Sequence, residues 1–258
     1  MQSRNFRLQR VGDIRWLEQN YQFQKISFAL DELVIVDASR NERNKEKFAQ
    51  CVARLADRNF IPLTAGGGIS SQADAKRLFD HGADKVLLNS ALAERPELIE
   101  SLAGIYGSQS LVAALDYRSN NDDLNVFIHN GETMLDEKLS DYVEKVQSLP
   151  VGELLLQSIV QDGTGFGFDL NTIKELVLRV RKPLLVAGGA GNAEHLLKAF
   201  DINGVSGVVT ANLFNFIQDG LPKARAELLK RGVNLAKWDY ENNFHQLGQA
   251  TESIEAGR

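Results

Sequence analysis

Asp116 closes the stretch LVAALD, where an apolar run meets a carboxylate just before Tyr117, Arg118 and a polar segment. An acid at the end of a buried strand is placed for general acid or base work, which usually needs a second group. Its plainer reading is a turn cap. Two glycine clusters, AGGGIS (65–70) and AGGAGN (187–192), each follow an apolar run and precede an amphipathic segment. Glycine allows a tight turn and lets backbone N–H groups approach phosphate oxygens at a helix N-terminus. The expected first phosphate site uses Gly67, Gly68, Asn89 and Ser90, and the second Gly188, Gly189, Thr210 and Ala211. A small substrate with a phosphate at each end fits that pair. The loop QSIVQDGTGFGFD (157–169) adds Ser158, Asp162 and Gly163, with glycines that would let it close over a substrate. Glu32, Lys85 and Glu153 stand at the opposite ends of such runs, in DELV, DKVL and GELL, where the plain reading is a stabilising ion network.

These residues need elements to hold them. Seven short apolar runs (31–38, 60–68, 83–90, 110–117, 152–158, 183–189 and 205–211) alternate with longer segments whose apolar residues recur at three- and four-residue spacing. Continuously apolar strands separated by helices predict a parallel sheet covered on its faces. In a (β/α)₈ barrel the C-terminal strand ends meet around one mouth, whereas a doubly wound sheet would put its ligand at one switch point. A repeat favours the barrel. Glu32 and Glu153, Pro62 and Pro183, and Gly67 and Gly188 are each 121 positions apart. A doubled half-barrel makes LVAALD strand 5, and the strand 1 equivalent of Asp116 then falls before Met1. The segment 118–130 reads as a polar excursion with a possible hairpin.

Composition narrows the function. A net charge of -5 and a pI near 5.5 leave no basic surplus for nucleic acid or a membrane surface. Neither glycine cluster fits a dinucleotide or nucleoside triphosphate motif, and the four histidines make no metal-ligand spacing, so no cofactor and no metal are expected. Cys51, in FAQCVARLA, reads as a buried structural thiol. Without an apolar leader or a membrane-length run, the protein is expected in the cytoplasm. Residues 1–240 are expected to form one barrel domain and residues 241–258 a polar tail.

DELVIVDAS, PLTAGGGI, GADKVLLNSAL, GSQSLVAALD, GELLLQSIVQDGT, PLLVAGGAGN, ANLFNF and RGVNL together resemble the HisF family, the cyclase subunits of imidazole glycerol phosphate synthase. The match runs from about Val11 to Asp239 in order. It implies a (β/α)₈ barrel that takes ammonia from a HisH-type glutaminase partner. That ammonia is condensed with a bis-phosphorylated ribulosyl formimino-aminoimidazole ribonucleotide, giving imidazole glycerol phosphate and an aminoimidazole carboxamide ribonucleotide. By this resemblance Asp116 is one of two catalytic aspartates, and Asp162, Gly163, Gly188 and Gly189 bind substrate. Glu32, Lys85 and Glu153 match the ammonia gate, and Asp84 would face the glutaminase.

The sequence also departs from the family. It begins beyond the strand that carries a gate arginine and the other aspartate. Val160 stands where the family has an aspartate, and Gln157 replaces a small hydroxylated residue. An open barrel would leave two strand edges unpaired, which favours a truncated reading frame. The alternative is a paralogue supplying ammonia for acetamidino-sugar synthesis in surface-polysaccharide pathways. A non-catalytic glutaminase activator and a HisA-type isomerase are further alternatives.

Overall fold

The computed structural model describes residues 2–9, 27–40, 42–57, 60–120, 123–211, 213 and 220–236. In chain order the strands are β1 (Gln2–Arg4), β2 (Arg7–Gln9), β3 (Leu33–Val36), β4 (Leu63–Gly66), β5 (Lys85–Leu88), β6 (Leu111–Asn120), β7 (Asp123–Ile128), β8 (Thr133–Lys138), β9 (Glu153–Ser158), β10 (Leu184–Ala187) and β11 (Val205–Val209). The helices are α1 (Lys45–Ala56), α2 (Gln72–Asp80), α3 (Ser90–Glu94), α4 (Pro96–Tyr106), α5 (Leu139–Gln147), α6 (Leu170–Leu176), α7 (Ala193–Phe200) and α8 (Gly220–Lys230).

All seven apolar runs become strands of one parallel sheet, in the order β11-β10-β9-β6-β5-β4-β3. Their side chains alternate between two apolar layers. Leu63, Val86, Leu88, Leu111, Leu154 and Leu184 join the core beneath the helices, where each fully buried leucine contributes about 1.5–3 kcal/mol. Val112, Leu155 and Ala187 form a separate cluster with Leu87, Leu185 and Val209 on the inner side. The sheet therefore curls into an α/β barrel with an apolar bore.

The repeat is visible in the elements themselves. β4 and β10 begin and end 121 positions apart, as do the N-caps Ser71 and Asn192. Each cap side chain accepts from the backbone N–H three residues on, Asp74 and His195, satisfying a donor the helix leaves free.

Among the described residues no strand lies between β3 and β11. A cavity of about 740 Å³ follows this seam and reaches the bore, lined from Asp31 and Glu32 at the base to Gly188, Gly189, Thr210 and Ala211 at the mouth. Arg225 of α8 bridges the seam, donating from Nη1 and Nη2 to the Asp31 carboxylate at 2.9 and 2.8 Å.

Two expectations need correction. β6 does not end at Asp116: it runs on to Asn120 because β7 pairs antiparallel with its last five residues and β8 pairs with β7. The polar excursion is thus a three-stranded flap. Cys51 is only partly buried, because the covered stripe of α1 is Ala49, Val52 and Leu55. The tail proposed for 241–258 lies outside the described residues.

Candidate active site

Asp116 lies within two ladders at once, opposite Gln157 of β9 and Phe127 of β7. This double pairing buries it, leaving 7% exposed. Asn89, at the end of the neighbouring strand β5, donates from Nδ2 to Ala114 O at 3.1 Å and to Asp116 Oδ2 at 3.3 Å. Burial first, and the negative charge of Asp162 second, push the Asp116 carboxyl up to about 7. An acid with that pKa can both give and take a proton at neutral pH.

Asp162 is held by an element that the sequence reading missed. The β1–β2 hairpin turns at Asn5 and Phe6, both at positive φ (52° and 60°). Ser3 Oγ donates to Asp162 Oδ2 at 2.5 Å, Phe6 N–H to the same oxygen at 3.1 Å, and Asn5 N–H to Asp162 O at 2.9 Å. Arg40 Nη2 holds Phe6 O at 2.8 Å while its Nη1 pairs with Glu132. Bulky Phe6 is strained at positive φ, so these tertiary bonds keep the turn in place. The hairpin thus ties together the loops after β3, β7 and β9. Alternation in SRNFRLQ was the available signal, but its partners are remote.

The glycine turns sit where the repeat puts them. Gly67 and Gly68 follow β4 at φ 110° and 68°, and Gly188 and Gly189 follow β10 at 96° and 105°, values an L side chain rarely adopts. Gly163, at φ 68°, passes under the hairpin: a methyl group there would lie 1.9 Å from Ser3 O. Ser158 is buried, and Thr210 Oγ1 accepts from Leu213 N–H. Ser90 meets a group missed in sequence: its Oγ lies 3.3 Å from His129 Nδ1 and accepts from His129 N–H at 3.1 Å, while His129 Nε2 contacts Glu94 at 2.7 Å. At the second site Gly191 N–H donates to His195 Nδ1 at 3.1 Å, so that ring nitrogen is unprotonated. Burial and then Lys198 lower the His195 pKa, favouring the neutral ring.

The base carries the charged set. Lys85 Nζ lies 2.8 Å from both Glu32 Oε2 and Glu153 Oε1, and Thr64 Oγ1 donates to Glu32. Burial works against the Lys85 charge, but bonds to Glu153 and Glu32 outweigh it and hold the pKa above the ordinary lysine value. Asp84 is exposed beside this set and accepts Leu63 N–H at 2.8 Å. Glu153 and Gln157 are four residues apart on β9, so base and mouth are separated by about 13 Å of strand.

A parallel α/β barrel with duplicated glycine turns at one mouth, a buried acid between them and a charged set at the base has the layout of a barrel enzyme, whose active site lies at the C-terminal ends of the strands. The chain belongs to the histidine biosynthesis protein family, whose model matches residues 7–218. It is 43% identical over 237 residues to the "Putative imidazole glycerol phosphate synthase subunit hisF2" of Parasynechococcus marenigrum, covering 92% of this chain and 88% of that one. It is 38% identical over 205 residues to the imidazole glycerol phosphate synthase subunit HisF of Chlorobium phaeobacteroides, covering 80% and 82%. The corresponding subunit of Chloroherpeton thalassium is 37% identical over 203 residues, covering 79% and 81%. Among the described residues, no helix is long and apolar enough to cross a membrane.

Proposed function

We propose that this chain is the ammonia-using cyclase subunit of an imidazole glycerol phosphate synthase working in the cytoplasm. Ammonia from a HisH-like glutaminase, docked on the face bearing Asp84, enters past Glu32, Lys85 and Glu153. It follows the bore to the mouth and is condensed with the bis-phosphorylated ribulosyl formimino-aminoimidazole ribonucleotide. Imidazole glycerol phosphate and aminoimidazole carboxamide ribonucleotide leave. Gly67, Gly68, Asn89 and Ser90 serve one phosphate; Gly163, Gly188, Gly189, Thr210 and Ala211 serve the other, with Ser158 and Asp162 between them. Asp116 moves the protons.

The observation that carries this reading is the single axis joining the Lys85 ion set, the apolar bore and a buried acid of pKa about 7. Turnover of the ribonucleotide by the purified chain with ammonium salts tests it. Lys85→Ala should impair glutamine-dependent turnover, measured with a HisH-like partner, several-fold more than ammonium-dependent turnover. Equal losses would remove the gate role.

A second reading is favoured by Val160, which stands 41% exposed where the resembled family has an aspartate. In it the barrel conducts ammonia to another acceptor, such as an acetamidino-sugar precursor. Stimulation of the glutaminase without ribonucleotide turnover would select it.

A further inference from the structure

The two glycine turns begin alike and differ in what covers their second glycine. A methyl group on Gly67 would lie 2.3 Å from Asp37 O, and one on Gly188 2.6 Å from Ser158 O, so each turn leans on the preceding strand's end in the same way. Asp37 and Ser158 are again 121 positions apart. The next glycine breaks the likeness. A methyl on Gly189 would meet Gly167 O at 1.9 Å, and Gly167 N–H donates to Gly189 O at 2.8 Å, so the glycine-rich loop after β9 covers that turn. At Gly68 the equivalent space holds a side chain. A methyl there would lie 2.7 Å from Arg43 Cδ, 3.0 Å from Nε and 3.1 Å from Nη1.

Arg43 has no hydrogen-bond or ion-pair partner among the described residues, and its buried Nε is unpaired. Other cations of these loops and helices are engaged. Arg40 pairs with Glu132, Lys45 with Asp74, Arg77 with Asp74 and Glu46, and Arg95 Nη1 donates to Ser70 O. A buried donor without an acceptor is destabilising, and the planar guanidinium fork suits the oxygens of a phosphate.

We propose that Arg43 is the specificity-determining residue of the β4-side subsite, where its guanidinium and the Gly67–Gly68 turn together take a phosphomonoester dianion. The β10-side turn, covered by a carbonyl instead of a cation, binds more weakly, so a two-phosphate substrate is held most firmly at the β4 end. This rests on the two-phosphate reading above and names the group that distinguishes the ends.

Titration of the ¹⁵N-labelled chain with inorganic phosphate, followed at the Gly68 and Gly189 amides, tests the proposal without any turnover. In the wild type the Gly68 amide should saturate at lower phosphate than Gly189. Arg43→Met should raise the phosphate needed at Gly68 by about tenfold or more while leaving Gly189 unchanged. Superimposable Gly68 curves for wild type and Arg43→Met would overturn it. Should Arg43→Met also lose the Gly189 response, Arg43→Lys and Arg43→Gln decide. A lysine binding phosphate better than glutamine at Gly68 supports the proposal, and equal affinities overturn it. An Arg43-dependent Gly68 response in a chain without cyclase turnover would count against the cyclase reading alone.

Discussion

At the scale of single residues, Asp116 was legible because an apolar run ending in an acid is conspicuous. Its electrostatic neighbour was not, since Asp162 lies in the loop after β9 and is brought close only when β9 pairs with β6. The pairing has a measurable consequence. With a folded pKa of about 7 against 3.8 for the free group, the native state holds the proton through that window. It then binds more protons than the unfolded chain, so this group's contribution makes stability fall as pH rises from about 4 to about 7. Asp116→Asn removes the titration, and its melting temperature should rise relative to wild type between pH 4 and pH 8, by the equivalent of a few kcal/mol at most. A constant difference across that range would deny the shifted pKa. Turnover of Asp116→Asn should fall by about 100-fold or more with little change in substrate affinity. An unchanged rate would exclude Asp116 from the proton transfers. His129 was invisible in sequence, as only folding puts it between Ser90 and Glu94.

At the scale of elements, the seven barrel strands followed from their apolar runs and the capped helices from their three- and four-residue spacing. The hairpin at Gln2–Gln9 did not, because a pair this short is marginal alone and depends on Asp162 and Arg40. The far end of β6 was missed for a related reason: Arg118 and Ser119 are polar, and their strand form comes from pairing with Asn125 and Leu124. The hairpin can be released from beneath. Gly163→Ala sets a methyl against Ser3 O at a left-handed position, so residues 2–9 should lose amide protection by about tenfold in hydrogen exchange. Ser3→Ala, which removes one charge-assisted bond in a partly exposed place, should have a smaller effect in the same direction. Exchange equal to wild type in both variants would show that Asp162 and Gly163 do not latch the hairpin.

For the whole molecule, the seam between β3 and β11, where the described residues place no strand, makes the Asp31–Arg225 pair unusual. Arg225 is 8% exposed, and besides the Asp31 carboxylate it reaches Ala236 O at 2.5 Å. Removing one partner leaves the other's charge poorly compensated. Asp31→Asn should therefore lower stability to urea by about 1–3 kcal/mol, discounted from a fully buried pair because Asp31 is half exposed. Arg225→Met should cost less, as it leaves the more exposed charge free to hydrate. Unchanged midpoints in both variants would mean that the pair does not brace the seam.

The sequence by itself determined the barrel class, its internal doubling, the paired glycine turns and the placing of acid and ion set at opposite strand ends. All of these are carried by local periodicity or by a fixed spacing along the chain. Only the tertiary structure decided that Asp116 is buried in two ladders and shifted by Asp162, that a hairpin is tied to the mouth, and that Arg43 lies on one glycine turn while a loop lies on its counterpart. Those facts depend on contacts between loops far apart in sequence, where neither period nor spacing constrains which side chain fills the space.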